Sequence, residues 1–349
     1  MDESDQAEPL ELIRHLIDLG ATPEQTEELD EHDLIGLAGD LQLSAGLDLD
    51  LDGLAAAAGC RPEDARTIYE LLGLPTDQLA GFGEGDVKLV SLAAGDTTGF
   101  VERIGAPLFR VAGTAMARVA EAAVAAYVQD IEPEAARELD PIALADQNVI
   151  GSTLAVGFGE ALATVFRHHM WIAVRRQRSA QDGVVLPQVV RMAVGFVDMV
   201  GFTTLTRFAS PAELLTTVEE FERRAFDTAQ RLGGRIVKSI GDEVMIAAPD
   251  AAVVAAIALE LLAAQRGDDS VQARAGVAAG DVLFRLGDYY GPVVNLASRL
   301  TNEALPDEVL ADHATADAVG VEARPAGQRQ LKGFAEPVEA WTVIGVDSR

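Results

Sequence analysis

Two acidic residues stand where strand-like segments end, an arrangement suited to metal ions. Asp198 closes the apolar run VGFVD, and Asp242 lies in the turn between RIVKSI and EVMIAA. Runs rich in Val, Ile and Phe predict strands, and acids at strand ends can meet at one sheet edge. Mg²⁺ prefers one or two carboxylates plus phosphate oxygens. The pair predicts a site for two divalent cations, with two unrelated surface acids as the alternative.

Lys238 is unusual for this composition. The chain has three lysines, at positions 88, 238 and 332, and all its other side-chain cations apart from histidine are arginines. Lysine and arginine differ in bulk and donor geometry, so one does not replace the other at a fitted site. An ammonium retained four residues before Asp242 therefore indicates a specific contact.

A third segment, GDYYGPVVNLASRL, adds polar groups that suit phosphoryl chemistry. Asp288 lies in a glycine-flanked turn, and Asn295 and Arg299 fall one turn apart on the predicted helix. An arginine can stabilise charge that builds on phosphorus, and an asparagine can orient a ribose oxygen or a phosphate. The alternative is a capped amphipathic helix with two solvated polar residues.

A glycine follows the first acid and predicts a tight turn. Gly201 would let the backbone N–H groups of residues 200–203 face a triphosphate at a helix start.

These segments together resemble the catalytic domain of the class III adenylyl cyclases. FVDMVGFT is similar to the first metal motif of that family, VKSIGDEV to the second, and DYYGPVVNLASRL to the segment that reads the base and stabilises the transition state. QLKGFAEPVEAW resembles the closing segment. The resemblance spans roughly residues 188 to 345.

The resemblance implies roles for individual residues. Asp198 and Asp242 would bind two metal ions (Mg or Mn), with the carbonyl of Met199 as an additional ligand, and Asn295 and Arg299 would be catalytic. The residues implied to bind substrate are Lys238, Asp288, Phe202, Thr203 and Lys332.

The purine contacts make independent chemical sense. Adenine offers an acceptor at N1 and a donor amine at C6, so Lys238 and Asp288 supply the matching donor and acceptor. Guanine reverses this pattern and would leave the ammonium facing an N–H. The sequence therefore predicts ATP as the substrate rather than GTP.

The implied reaction is attack of the ribose 3′-oxygen on the α-phosphorus, which releases pyrophosphate and cyclic AMP. In the family, metal ligands and purine readers come from opposite subunits, which implies a head-to-tail homodimer with two shared sites. The alternatives are a guanylyl cyclase and a catalytically silent module that binds nucleotide or dimerises. A silent module is expected to have lost Asp198, Asp242 or Arg299, and all three are present.

The elements that must position these residues predict an α+β catalytic domain over 188–349. Ser210, Pro211 and Glu213 predict a capped helix start, a hairpin turns at 241–242, two strands fall around 272 to 286, and a helix begins near 292. This pattern indicates a mostly antiparallel sheet with flanking helices, and the resemblance implies the ferredoxin-like palm arrangement.

The first half of the chain is helical in pattern, with a predicted regulatory domain at 1–178 and a linker at 179–187. It resembles the N-terminal domain of actinobacterial cyclases in which that half inhibits and senses pH. His168 and His169, near the end of a helix predicted over 148–178, are the sensor candidates because imidazoles titrate between pH 5 and 8. Two ordinary polar surface residues are the alternative.

Composition excludes several classes of protein. A net charge of −29 argues against nucleic acid as a partner. A single cysteine excludes an internal disulfide framework, and the acidic N-terminus lacks the pattern of a signal peptide. The most apolar stretch, 149–174, contains Glu160, Arg167, His168 and His169, which predicts no membrane span. A cytoplasmic location is expected.

Overall fold

A computed structural model describes residues 3–27, 29–95, 105–180, 189–265 and 271–347, without the side chains of 3–9, 176–180, 203 and 204. The predicted linker, 179–187, lies almost wholly outside the described residues. The chain divides into two compact units, Met1–Ala173 and Val174–Arg349.

The first unit is helical, as its pattern predicts. A π-helical turn at Tyr127–Ile131 separates two of its helices. Its helices are α1 Glu3–Asp18, α2 Pro23–Thr26, α3 Glu31–Leu43, α4 Leu51–Ala58, α5 Pro62–Leu71, α6 Glu84–Ala94, α7 Ala106–Ala126, α8 Glu132–Glu138 and α9 Pro141–Ala180, the last of which runs on into the second unit.

Two apolar clusters hold this unit together. One joins α1, α3 and the first turns of α9 through Leu12, Leu34 and Ala145. The other joins α4, α5 and α6, and buries Leu54 and Tyr69 among its members. Burial of such side chains stabilises a domain by about 1.5–3 kcal/mol per large residue, so each cluster fixes its helices.

Helix α9 is longer than the predicted span of 148–178. The Asp140 carboxylate accepts a hydrogen bond from the backbone of Ala143 (2.9 Å), and Pro141 occupies the first helical position. An acidic cap followed by proline is a helix start, because proline has no N–H to leave unpaired there. Asp140 and Pro141 therefore form the beginning of α9, seven residues before the predicted start.

The expectation that no segment could span a membrane is wrong. Among the described residues, Ala106–Glu138 and Pro141–Arg175 are long and apolar enough to cross one, by length and composition. Glu160 and Arg167 do not exclude a span, because an eighteen-residue stretch of α9 that contains both still holds only two charged residues. Exposed apolar side chains of α9 include Leu154, Phe158, Val165, Phe166 and Trp171.

The second unit is built on one mostly antiparallel sheet, which confirms the predicted α+β class. The strand order is β2-β3-β1-β4-β6-β8-β7, with β5 paired to β4 and with β4 and β6 as the parallel pair. The strands are β1 Val189–Met199, β2 Arg235–Ile240, β3 Glu243–Ala248, β4 Ala273–Arg285, β5 Asp288–Tyr290, β6 Val309–Ala311, β7 Val321–Arg329 and β8 Val338–Val346.

Helices pack on both faces of this sheet. They are α10 Phe202–Phe208, α11 Pro211–Leu232, α12 Ala251–Ala264, α13 Pro292–Glu303 and α14 His313–Ala316. α11 and α12 cover one face through Phe221, Val254 and Ile257, and α13 covers the other through Ala297 against Phe196.

Most local expectations for this unit match the structure. The Ser210 hydroxyl and the Glu213 carboxylate form the predicted reciprocal cap of α11, and Gly233 ends that helix in the left-handed conformation. The predicted pair of strands around 272 to 286 is instead one strand, β4. β1 pairs with β4 continuously from Met199 to Val189, so Gly280 lies within the paired part of β4 and does not divide it into two strands.

A close approach of backbones fixes α13 on the sheet. A Cβ added to Gly276 of β4 would lie 2.2 Å from the backbone nitrogen of Thr301 and 2.4 Å from the carbonyl oxygen of Ala297. The Thr301 hydroxyl also donates to the carbonyl of Phe196 (3.3 Å). Glycine is needed here because no side chain fits between strand and helix.

Candidate active site

The two candidate metal ligands come together at one end of β1. Asp198 is the penultimate residue of that strand, and the β2–β3 turn places Asp242 beside it. The backbone N–H of Met199 donates to the carbonyl of Asp242 (3.1 Å), which ties the turn to the strand end. The carboxylates of Asp198 and Asp242 are near enough to repel each other.

The sheet register adds a third carboxylate that the sequence analysis did not single out. Glu243 of β3 lies directly across from Asp198. The pKa of Glu243 is raised from its ordinary 4.5 to about 7, mainly by burial and also by the charges of Asp198 and Asp242. Burial is also the main cause that raises the pKa of Asp198, with Asp242 adding to it.

The oxygen donors present fit a hard divalent cation. Asp198 and Asp242 supply carboxylate oxygens, and the mutual repulsion that raises the pKa of Asp198 would be relieved by a cation between them. Within the described ranges no group of three or more His, Cys, Asp or Glu side chains is arranged to hold a metal ion by itself. Such a pair suits Mg²⁺, which takes one or two carboxylates and completes its shell from phosphate and water.

An arginine contacts Asp198 from the other neighbouring strand. Arg274 of β4 lies across from Asp198, and its Nε and Nη2 lie 2.9 Å and 2.8 Å from Oδ2 of that carboxylate. Its Nη1 donates to the carbonyl of Asn302 at 2.9 Å. The one feature of the sequence that could have indicated this contact is the charged residue Arg274 within ARAGVAAG, a strand otherwise made of small apolar residues.

The structure brings the two candidate purine readers into direct contact. Lys238 Nζ lies 2.5 Å from Oδ2 of Asp288, and both side chains are partly buried. The other oxygen of Asp288 accepts a hydrogen bond from the backbone of Tyr289 (2.8 Å), which fixes the carboxylate. The guanidinium of Arg235 lies over the ring of Tyr289, the residue that follows Asp288, at 5.0 Å from the ring centroid.

Asn295 and Arg299 share the exposed side of α13, one turn apart. Asn295 is exposed and Arg299 is partly exposed, and among the described residues neither side chain makes a hydrogen bond or ion pair. Gly291 precedes the helix, and Pro292 occupies its first turn. Both polar groups are therefore available to a ligand.

The glycine turn after β1 differs from the expected phosphate cradle. Gly201 adopts the predicted left-handed conformation, with φ of 79°. The backbone N–H of Val200, however, donates to the carbonyl of Gln272 (2.7 Å) and is not free for a phosphate. Phe202 packs against the core cluster under α11 and α12, and the side chain of Thr203 lies outside the described residues.

The remaining candidates lie on exposed segments. Lys332 is exposed in the turn between β7 and β8, next to Gly333. His168 and His169 are exposed on α9. His15, by contrast, bridges two helices, since its Nε2 lies 2.7 Å from Oδ1 of Asp146.

Known proteins are similar to this chain over most of its length. The family model of the adenylate and guanylate cyclase catalytic domain matches residues 184–345. An adenylate cyclase of Streptomyces coelicolor is 35% identical over 275 residues, which cover 75% of this chain and 69% of that protein. The pH-sensitive adenylate cyclase MT1302 of Mycobacterium tuberculosis is 31% identical over 246 residues, with 67% and 61% covered.

Solved structures match somewhat less than half of this chain. The adenylyl cyclase CyaB of P. aeruginosa is 27% identical, covers 46% of this chain and 96% of its own, and superposes with a TM-score of 0.42. The match to the catalytic-domain model and the relatives that align over most of the chain together show the family. The chain belongs to the class III adenylate cyclases.

Proposed function

We propose that this enzyme converts ATP into 3′,5′-cyclic AMP and pyrophosphate. The observation that carries the choice of ATP is the contact between Lys238 and Asp288, which holds one donor and one acceptor side by side. Adenine presents the complementary acceptor and donor on its N1 and C6 edge. A guanine ring would place an N–H against the ammonium, and an unmatched buried polar group costs about 1–3 kcal/mol.

The other side chains of the site divide the remaining work. Asp198 and Asp242 would hold two divalent cations, which when bound lower the pKa of the ribose 3′-hydroxyl and neutralise the leaving pyrophosphate. Arg299 supplies a guanidinium for the charge that develops on the α-phosphoryl oxygens, and Asn295 orients the ribose or a phosphate. Lys332, exposed in its turn, contacts the triphosphate.

The active enzyme is a head-to-tail homodimer with two sites shared between subunits. A complementation experiment tests this arrangement, because Asp198 and Arg299 would serve different sites in the same chain. Asp198→Asn and Arg299→Ala should each have very low activity, and their mixture forms heterodimers with one intact site. The mixture should recover roughly a quarter of the wild-type activity, since half the dimers are mixed and each has one working site. No recovery after subunit exchange would contradict shared sites.

One assay tests the reaction itself. Purified protein is supplied with ATP or GTP and Mn²⁺ or Mg²⁺ from pH 5 to 8, and cyclic nucleotide is measured. Cyclic AMP from ATP, absent in Asp198→Asn, supports the proposal. Cyclic GMP as the main product would favour the guanylyl cyclase alternative, and no product under any condition would favour a silent module.

The helical first unit regulates this activity, and pH is the proposed signal. Support comes from the relative named a pH-sensitive adenylate cyclase and from the exposed pair His168 and His169 on the helix that runs from one unit into the next. Replacing both by Asn should flatten the pH profile of cyclic AMP formation, whereas His32→Asn, an exposed histidine of α3, should not. An unchanged profile in the double variant would discard this role.

A further inference from the structure

Arg274 occupies one of the two carboxylate oxygens of Asp198. Two of its N–H groups point to the same atom, Oδ2 of Asp198, at 2.9 Å and 2.8 Å. A carboxylate oxygen offers about two lone pairs, so both acceptor positions of this oxygen are filled. A cation that binds through this oxygen must displace at least one of the two hydrogen bonds.

Burial makes this competition direct. The side chain of Asp198 is 18% exposed and that of Arg274 is 27% exposed, so water has limited access to replace either partner. Interactions between partly buried charges are screened much less than those on the surface. The guanidinium therefore offsets much of the negative charge that attracts a cation to Asp198.

The charges around the pair favour exchange of one cation for another. Asp198 lies between Glu243 on β3 and Arg274 on β4, and Asp242 adds a further carboxylate at the strand end. In the described part of the chain, Arg274 is the cation that hydrogen-bonds to this group. The site thus contains its own counter-charge.

A second anchor keeps Arg274 in place after such an exchange. Its Nη1 donates to the carbonyl of Asn302 (2.9 Å), in the last turn of α13. Carbonyls at a helix C-terminus carry partial negative charge and favour a cation. The guanidinium can leave Asp198 without losing all its partners, and it remains attached to the helix that bears Arg299.

We propose that Arg274 is an internal placeholder for the divalent cation, so that cation binding to Asp198 displaces its guanidinium and leaves it held by α13. The inference rests on the proposed function, because it concerns the metal-binding role of Asp198. The opposite arrangement is a permanent ion pair that positions Asp198 for the metal. The two differ in sign: removal of a competitor strengthens cation binding, and removal of a support weakens it.

The test measures binding of Mn²⁺ alone, without nucleotide, from the electron paramagnetic resonance signal of the free ion. Arg274→Gln removes the guanidinium and keeps a polar side chain. We expect Mn²⁺ to bind it about tenfold more tightly than the wild type, in line with the strength of a charged hydrogen bond. Unchanged or weaker binding overturns the proposal.

A matched control separates direct contact from overall charge. Arg285→Gln removes the same charge from an exposed position on the same strand, far from Asp198. Its Mn²⁺ affinity should stay within about twofold of the wild type, because exposed charges beyond about 10 Å are largely screened. Equal tightening in both variants also overturns the proposal.

A spectroscopic measurement on the wild-type chain covers the case in which Arg274→Gln fails to fold. The Nε–H resonance of Arg274, identified by its loss in Arg274→Lys, should shift and lose protection from exchange when Mg²⁺ saturates the protein. A resonance that Mg²⁺ leaves unchanged overturns the proposal. Since neither readout requires turnover, a wild type that makes no cyclic nucleotide would refute the proposed function while these titrations still decide the role of Arg274.

Discussion

Lys238 and Asp288 are fifty positions apart in the chain, yet their side chains form an ion pair of 2.5 Å between Nζ and Oδ2. The contact joins β2 at the edge of the sheet to β5, which pairs with β4. Each group holds the other in place before a base arrives, so the ordering of both side chains has already occurred. Preorganised donors and acceptors bind more tightly than mobile ones because less entropy is lost on binding.

The ion pair predicts a specific defect for Lys238→Gln. The amide retains a donor but loses the charge that orients Asp288, and the N1 position of adenine loses its charged hydrogen bond. We expect kcat/KM for ATP to fall about 10²-fold, which corresponds to the loss of one or two hydrogen bonds to a charged group. The measurement is initial-rate formation of cyclic AMP at saturating Mn²⁺.

Lys88→Gln is the matched control for this substitution. Lys88 is an exposed lysine of α6 that pairs with Glu84 (2.9 Å) at the helix surface. Its replacement should leave kcat/KM for ATP within about twofold of the wild type, because exposed pairs contribute little. Equal losses of kcat/KM in both variants would mean that Lys238 has no specific role in binding adenine.

Local sequence patterns predict much of the fold, whereas contacts that depend on the pairing of distant segments could not be predicted from the sequence. The cap at Ser210 and the hairpin on either side of residue 241 are determined within a few residues, so the sequence predicts them directly. Arg274 contacts Asp198 across 76 positions, and only the register of β1 against β4 reveals it. The start of α9 was missed because Asp140 and Pro141 fit a break as well as a cap.

Arg299→Ala should lower kcat and leave KM for ATP nearly unchanged. The guanidinium is proposed to act on charge that exists only in the transition state, so its loss does not weaken ground-state binding. A decrease of about 10²–10³ in kcat is expected for the loss of one such group. Initial rates over a range of ATP concentrations separate the two constants.

The structure also predicts that this variant folds normally. Among the described residues the Arg299 side chain makes no hydrogen bond or ion pair whose loss would destabilise the protein. The melting temperature should therefore stay within about 2 °C of the wild type. Arg191→Ala, at an exposed position of β1, is the control with unchanged kcat, and a rise in KM alone for Arg299→Ala would assign Arg299 to substrate binding instead.

Asp312 predicts a pH-dependent difference in stability. Burial raises the pKa of Asp312 above its ordinary value of 3.8, although its carboxylate caps α14 through the backbone of Thr315 (2.9 Å). A raised pKa means that the folded protein favours the protonated form. The stability that this group contributes is present below pH 3.8 and is lost as the pH rises through its folded pKa.

Asp312→Asn should therefore be more stable than the wild type at pH 7, while the two converge towards pH 4. Asparagine keeps the capping oxygen and cannot ionise. Melting temperatures of both proteins from pH 4 to 8 give the difference, and effects of all other acids cancel in it. Asp281→Asn, at an exposed position of β4, should show a flat difference. An advantage for Asp312→Asn that shrinks as the pH rises would reverse the assigned sign.

Gly276→Ala should damage both stability and activity, because it separates α13 from β4. The added Cβ would lie 2.2 Å from a backbone nitrogen and 2.4 Å from a backbone oxygen of that helix, and neither atom can move without the helix. Overpacking of this kind costs about 1–3 kcal/mol.

A displacement of about 1 Å in Asn295 and Arg299 would lower kcat about 10²-fold. Urea unfolding gives the first quantity and initial rates give the second. Gly280→Ala is the milder comparison, since its Cβ would lie 2.9 Å from one side-chain methyl group of Val293 and within 4 Å of no backbone atom of α13. Equal losses of activity in both variants would show that activity does not depend on the close approach of α13 to β4 at Gly276.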